Sequence, residues 1–182
     1  MGLFGITLPT KMRAMSSLEY HVVSRVFGST LPERTRILVT DAAGLNRRPF
    51  TIPMPLLAQL GMGPLPPMVE GGPVGIFRAG YLMNVGPSNY ASLTGNPRLL
   101  VHEATHVWQG HNASTPVNYV LGSVVAQCLH GGAAYNYVLG RDWTSYNPEQ
   151  QATIVEDWFR LGQSPTDARY PYIDQHVRKG DC

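Results

Sequence analysis

The strongest constraint on this chain is a segment that must form a helix and that carries two histidines four residues apart. Residues 99–109 are LLVHEATHVWQ, which contains the pattern HExxH. Asn96 is a suitable N-cap, Pro97 suits the first helical turn, and Gly110 can end the segment. The pattern therefore predicts an active-site helix over about residues 97–109, with the histidines in its middle.

The spacing of His102 and His106 is that of metal ligands. Four residues make just over one helical turn, so both imidazoles project from one face and can share one zinc ion. Glu103 is turned by about 100° around the helix axis, from where it can reach a metal-bound water without ligating the metal. We expect Glu103 to act as the general base, taking the proton of that water as the water attacks a carbonyl group. The alternative is that both histidines are hydrogen-bonded core residues and that Glu103 belongs to a buried pair.

A catalytic zinc site usually has a third protein ligand, which must come from elsewhere in the chain. The chain carries Gln109 and Asn112 where a metzincin continuation requires glycine and histidine, so that arrangement is excluded. A later helix, which begins at an Asn-Pro pair, offers Glu149 in its first turn. Glu156 and Asp157 are rivals one to two turns further along, and spacing alone does not decide among the three carboxylates.

The order of the predicted elements indicates an α+β fold in a single domain of 182 residues. A capping box formed by Ser16 and Glu19 predicts a first helix over residues 17–27. Apolar and β-branched runs predict short strands over residues 36–40, 50–52, 74–78 and 81–85. Residues 16–95 are therefore expected to hold a small mixed sheet with helices, and residues 96–182 to be mostly helical and to carry the zinc site.

Two further segments have a distinctive composition. Residues 61–73 are rich in glycine and proline, which predicts a loop long enough to be a lid or a rim. Residues 117–140 contain no Asp, Glu, Lys or Arg. Their scattered polar residues and glycines nevertheless favour a buried helix, broken near Gly131, over a membrane span.

The charge of the chain argues against a nucleic-acid partner. Charged residues make up 14% of the sequence, the net charge is +2, and the basic residues are scattered rather than clustered. The first fifteen residues lack the apolar core and the small-residue cleavage site of a signal peptide. These features set neither the cellular location nor the oligomeric state.

Two segments, HEATHVWQ and AYNYVLGRDWTSYNPEQQATIVEDWF, resemble a group of bacterial zincin-like domains of unknown function. Such domains occur alone or attached to Rhs, VgrG-type or contractile-injection proteins, and the resemblance extends over about residues 16–180. It implies a gluzincin-type zinc-peptidase fold, in which the third ligand opens an ExxA segment that Glu149 and Ala152 match. Thr153 stands where an Asp often follows. The hydrogen-bond partner of a zinc-binding histidine is therefore left open, with Asp157 and Asp142 as candidates.

The resemblance implies that His102, His106 and Glu149 hold one Zn²⁺ and that Glu103 is the catalytic residue. We expect a metallopeptidase acting on a peptide or protein, deployed in bacteria as an effector or toxin domain. One alternative is a catalytically silent zinc-binding module for structure or interaction. Another is a zinc hydrolase of a non-peptide substrate, because the motif fixes the metal and the base while the pocket decides the substrate.

The substrate of such a peptidase commonly adds a strand to a sheet edge, and the best candidate edge is the segment over residues 74–85. A group that stabilises the transition state besides zinc would be a Tyr, His or Arg. The residues eligible by type, among which the sequence does not choose, are Tyr135, Tyr137, Tyr146, Tyr170, Tyr172, His130 and His176.

Overall fold

The computed structural model describes residues 9–44, 48–53, 80–113 and 134–182, and the backbone of residues 69–70. The described strands are β1 (Met12–Ala14), β2 (Ile37–Thr40), β3 (Phe50–Pro53), β4 (Val69–Glu70) and β5 (Tyr81–Asn84). The described α-helices are α1 (Ser17–Phe27), α2 (Pro87–Tyr90), α3 (Pro97–Asn112), α4 (Pro148–Arg160) and α5 (Tyr170–Gln175). Short 3₁₀ turns cover Arg34–Arg36, Leu93–Gly95, Trp143–Ser145 and Val177–Lys179. The fold is mixed, with strands early and helices late, as the sequence predicts.

The five strands form one mixed sheet in the order β3-β5-β2-β1-β4. Neighbours β2 and β5 run parallel, as do β1 and β4, whereas β1 with β2 and β3 with β5 are antiparallel. Because β5 lies between β3 and β2, it is an interior strand. The prediction that residues 74–85 form a sheet edge for the substrate is therefore wrong for residues 81–84. Residues 74–79 lie outside the described part of the chain. All four β5 side chains are buried, as expected for an interior strand.

The motif helix α3 packs against α1 on one side, against α4 on another, and against β3 of the sheet. Its residues are therefore buried without interruption from Leu100 to Gly110. At its centre Trp108 packs against Phe27 of α1, with ring centroids 6.5 Å apart, and against Trp143, at 6.3 Å. Burying a side chain of this size stabilises the fold by about 1.5–3 kcal/mol. The motif is thus held within the hydrophobic core.

The end of α3 differs from the sequence prediction, because the helix continues past Gly110 to Asn112 and His111 lies within it. Gly110 provides close packing instead of a helix stop: a Cβ at this position would lie 3.0 Å from the ring of Tyr81. The helix ends two residues later, where the side chain of Asn112 donates to the carbonyl oxygens of Trp108 and Thr30.

The capping predictions for α1 and α4 are confirmed. Ser16 and Glu19 form the predicted capping box, and Asn147 forms a second one with Gln150 at the start of α4. Both helices begin where the sequence places them. Gly162, which has a φ of +95°, lies just beyond the last turn of α4 and provides the left-handed conformation that ends the helix.

Two compositional predictions are answered in part. Within the predicted glycine-proline loop, residues 69–70 form strand β4, and the remainder lies outside the described residues. Residues 117–133 of the predicted buried helix also lie outside them, and residues 136–140 form no regular helix. In residues 136–140, backbone groups form hydrogen bonds with side chains from elsewhere in the chain in place of helical hydrogen bonds. Gln150 donates to the carbonyl of Asn136, and Tyr146 donates to the carbonyl of Val138. The backbone amide of Gly140 donates to the hydroxyl of Tyr172.

Among the described residues, no helix has the length and apolar character needed to cross a membrane. The longest, α3, has 16 residues and includes three histidines, a glutamate and an arginine.

A buried ion pair joins the sheet to the helices around the site. The carboxylate of Glu19 accepts two hydrogen bonds from the guanidinium of Arg13, at 2.6 and 2.7 Å. It also accepts from the backbone amides of Ser16 and Leu93. Burial by itself raises the pKa of Glu19, but Arg13 and Ser16 outweigh it and lower this pKa to about 2. A single carboxylate thus ties β1, the start of α1 and the turn before α3 together.

We predict that Glu19→Gln lowers the free energy of unfolding by about 3 kcal/mol at pH 6, because Arg13 loses its buried partner. The folded-state pKa of Glu19 is depressed, so its stabilisation is present above about pH 4.5 and is lost as the pH falls towards 2. Urea unfolding from pH 6 to pH 2.5 should show the gap between wild type and variant narrowing. The control is Arg160→Gln, which breaks a more exposed pair with Asp157 and should cost about 0.5 kcal/mol or less. An equal loss in both variants, or a gap independent of pH, would contradict the prediction.

Candidate metal centre

Three side chains converge between α3 and α4. His102 and His106 project from α3, and Glu149 projects from the first turn of α4. The Nε2 atom of His102 lies 3.4 Å from Oε2 of Glu149, and Nε2 of His106 lies 3.4 Å from Oε1 of the same carboxylate. The histidines are 9% exposed and Glu149 is fully buried. The three predicted ligands are thus brought together, and this buried group can hold a metal ion.

The position of Glu149 follows from how the start of α4 is attached to the motif helix. The side-chain Nε2 of Gln109, on α3, donates to the backbone carbonyl of Pro148 at 3.0 Å and to the side-chain oxygen of Gln151 at 3.0 Å. Gln151 in turn donates to the carbonyl of Trp143. Since Glu149 lies between the two residues that Gln109 holds, its carboxylate is fixed against the histidines.

Each histidine uses its Nδ1 atom for a protein partner. Nδ1 of His102 lies 3.1 Å from a carboxylate oxygen of Glu156, and Nδ1 of His106 lies 2.8 Å from the amide oxygen of Gln109. Both partners are acceptors here, because a carboxylate cannot donate and the amide nitrogen of Gln109 is already engaged. Each Nδ1 therefore carries a proton, and in the neutral form each Nε2 presents its lone pair towards Glu149.

The spacing of the donor atoms fits a cation between them better than direct hydrogen bonds. A charge-assisted hydrogen bond between imidazole and carboxylate has a length of about 2.7–2.9 Å. Two ligands that are each about 2.0–2.1 Å from a tetrahedral zinc ion are about 3.3–3.4 Å apart. The observed separations are 3.4 Å, and Nε2 of His106 has no hydrogen-bond partner among the described residues. This geometry at His106 favours a bound cation over the alternative that both histidines are hydrogen-bonded core residues.

Without a metal ion, the same groups perturb each other's protonation. Burial lowers the pKa of His102, but the carboxylates of Glu149 and Glu156 outweigh it and raise this pKa to about 10. The pKa of His106 is also raised, since Glu149 outweighs burial. Burial raises the pKa of Glu149, yet the two imidazoles hold it far below its usual range. In the metal-free site the Glu149 carboxylate therefore lies between the imidazolium of His102 and the imidazole of His106, whose pKa is raised, and a metal ion that binds there competes with protons.

Glu103 lies beside this group, at the wall of a cleft, and is 3% exposed. The hydroxyl of Thr51, on β3, donates to its Oε2 atom at 2.8 Å. Burial raises the pKa of Glu103, and the two histidines and Thr51 oppose that shift only in part. The sheet thus fixes the side chain that the motif predicts as the general base.

The rival carboxylates have other partners. Glu156 bonds His102, and its second oxygen accepts from Arg98 at 2.6 and 2.9 Å. Asp157 accepts from the hydroxyl of Tyr137 at 2.7 Å and faces away from the group. Asp142 is exposed at the start of a 3₁₀ turn. The prediction that Asp157 or Asp142 supports a metal-binding histidine is wrong.

Glu156 and Gln109 are instead the residues that orient the two imidazoles. The sequence contains a signal for both. Glu156 follows Glu149 by two helical turns, and Gln109 follows His106 by three residues, so each lies on the same helix face as a ligand. Thr153, which stands where the resemblance expects an Asp, donates its hydroxyl to the backbone of α4 and contributes nothing to the histidines.

A cleft of about 390 Å³ opens beside His102 and Glu103, with Arg48, Arg98, Tyr135 and Glu156 among its lining residues. Of the residues eligible to stabilise a transition state, Tyr135 is the one that lines this cleft, with its ring centroid 6.0 Å from that of His102. The others are engaged elsewhere or lie outside the described residues: Tyr137 with Asp157, Tyr146 with Tyr172, Tyr170 against Trp158, His176 with Asp181, and His130 outside.

A scan against protein-family models and searches among curated proteins and solved structures give no match to this chain. The resemblance to gluzincin-type domains therefore stays a prediction that rests on two sequence segments. What supports a function for the chain is the chemistry and spacing of its own side chains.

We predict that Glu156→Gln weakens the affinity for Zn²⁺, used as the probe ion, by about 10-fold to 100-fold, because the imidazole of His102 loses a charged acceptor. The matched control is Asp157→Asn, which changes the next residue on the same helix and should alter the affinity less than about 2-fold. Competition with a chromophoric chelator measures both. Equal losses in the two variants would show that Glu156 has no specific role at the site.

We also predict that metal binding at pH 7 releases at least one proton. The pKa of His102 is about 10, so its imidazole is protonated in the metal-free protein and must lose a proton to ligate, and the raised pKa of His106 adds to this release. Protons compete with the metal ion for the histidines more strongly at lower pH. The apparent affinity for Zn²⁺ should therefore increase as the pH is raised towards 10. Calorimetric titration with Zn²⁺ in buffers of different ionisation enthalpy counts the protons. A heat that is independent of the buffer would contradict the prediction.

Proposed function

We propose that this chain is a zinc-dependent peptidase of the gluzincin type, in which His102, His106 and Glu149 hold one Zn²⁺ and Glu103 is the general base. The observation that carries the proposal is the convergence of both Nε2 atoms on the two oxygens of Glu149 at 3.4 Å, beside a cleft. Two imidazoles with one carboxylate form a donor set that catalytic zinc ions take. A fourth position must stay open for catalysis, and the cleft lined by His102 gives access from one side.

Zinc held by these residues supplies a Lewis acid that polarises a carbonyl oxygen and lowers the pKa of a water molecule. Glu103 then accepts a proton from the attacking water and returns it to the leaving amine. Its burial favours the protonated form, which eases the first transfer, and Thr51 holds the carboxylate in one orientation. The hydroxyl of Tyr135, on the cleft wall, is the side-chain donor best placed to stabilise the developing oxyanion.

The edge strand β3 is suited to hold a peptide. It lies at the end of the strand order and packs against the motif helix, and among the described strands it pairs with β5 alone, so its other edge has no partner strand within the described part of the chain. Thr51, at the centre of β3, contacts the proposed base directly. A peptide added to this edge would therefore lie alongside Glu103, with main-chain hydrogen bonds that are independent of its sequence.

The two alternatives make less use of these features. A catalytically silent zinc module does not need a buried glutamate that a neighbouring strand holds at a cleft. The presence of Glu103 in this position therefore favours an active enzyme. A hydrolase of a non-peptide substrate would need no unpaired strand edge beside the base. The peptidase proposal accounts for both Glu103 and β3.

We predict that Glu103→Gln abolishes hydrolysis, by at least about 1,000-fold, while one zinc ion stays bound with unchanged affinity. The variant removes the proton acceptor and keeps the three ligands. Mass spectrometry of a proteome-derived peptide library, incubated with zinc-loaded protein, detects the new termini, and metal analysis gives the zinc content. Glu149→Gln is the complementary variant and should lose zinc as well as activity. Full activity of Glu103→Gln, or its failure to bind zinc, would contradict the assigned role.

A further inference from the structure

The charged side chains that line the cleft are compensated, with one exception. Arg98 gives both of its hydrogen bonds to Glu156, which also holds His102. Glu103 is held by Thr51. Arg48 is exposed and forms no ion pair with an acidic side chain among the described residues. With a divalent ion bound to the site, the cleft would be net positive, and among the described residues that line it Arg48 is the cation without an acidic partner.

Arg48 lines the cleft that opens at His102 and Glu103. It precedes the edge strand β3 by two residues and lines the same cleft as Tyr135. Burial and Glu149 raise the pKa of Tyr135, and the guanidinium of Arg48 opposes this by its charge and by hydrogen bonding. The ring of Tyr135 is in turn 6.0 Å from that of His102. A continuous path thus leads from the metal ligand through the phenol to the guanidinium.

We propose that Arg48 binds a carboxylate of the substrate, so that the site cleaves peptides within about two residues of an acidic group. This inference rests on the proposed peptidase function and adds the substrate class to it. An extended peptide advances about 3.3 Å per residue, so the ring of Tyr135 spans about two residues. A guanidinium offers two parallel N–H donors to one carboxylate, which gives both affinity and orientation.

The carboxylate has two possible sources in a peptide, an Asp or Glu side chain and a free C-terminus. Arg48 recognises the same group in both cases. The geometry of the cleft accommodates either, since it is open at one side. Comparing peptides that lack one or the other carboxylate distinguishes the two sources.

The test measures the cleavage-site profile of a peptide library by zinc-loaded protein, followed by kinetics on matched peptides. For the best sequence, an Asp-to-Asn change and C-terminal amidation are compared with the parent. We expect one of the two changes to lower kcat/KM by 10-fold or more, mainly through KM. Arg48→Gln should remove this discrimination, and Arg48→Lys should restore part of it. Arg25→Gln, an exposed arginine on α1, is the matched control and should leave the discrimination intact.

A binding measurement separates recognition from turnover. Fluorescence anisotropy with zinc-loaded Glu103→Gln protein should show the acidic peptide binding at least 10-fold more weakly when Arg48→Gln is added. Cleavage without preference for an acidic group, or discrimination that survives Arg48→Gln, overturns this inference and leaves the peptidase proposal standing. Neither cleavage nor binding of any peptide by protein that holds one zinc ion overturns both.

Discussion

The burial of the Glu149 carboxylate between two helices is the constraint on which the rest of the site depends. A fully buried carboxylate is costly unless it is surrounded by cationic groups or hydrogen-bond donors. Here the two imidazoles of α3 face it at 3.4 Å, and the side chain of Gln109 donates to the backbone carbonyl of Pro148 before it and to the side chain of Gln151 after it. The contact between α3 and α4 is therefore a packed interface with charge at its centre, and a bound cation resolves that charge best.

The sheet also contributes to this centre. Thr51 of β3 holds Glu103, and the buried pair of Arg13 and Glu19 fixes β1 to the turn before α3. The metal ligands and the base are thus oriented by contacts from different elements: His102 by Glu156 of α4, and Glu103 by Thr51 of β3. A change in the sheet should alter the base and the cleft, whereas a change in α4 should alter metal binding.

The sequence predicted best the features that depend on local chemistry. The capping box at Ser16, the helix start at Asn147 and the spacing of His102 and His106 follow from neighbouring residues alone, and the structure has them as expected. The prediction for Glu149 needed a resemblance as well, because helical spacing also allowed Glu156. The features that were predicted wrongly depend on contacts distant in sequence.

The interior position of β5 depends on strand pairing, which residues 81–84 do not encode by themselves. The close packing of Gly110 within α3 depends on the ring of Tyr81, and the orientation of His102 depends on Glu156, a residue on another helix. Anomalous difference maps across the zinc absorption edge, from crystals grown without added metal or chelator, test the central claim most directly. We predict one peak per chain, within about 2.0–2.2 Å of Nε2 of His102 and His106 and of an oxygen of Glu149. Absence of a peak in crystals that order these side chains, or a peak with other ligands, would contradict the account.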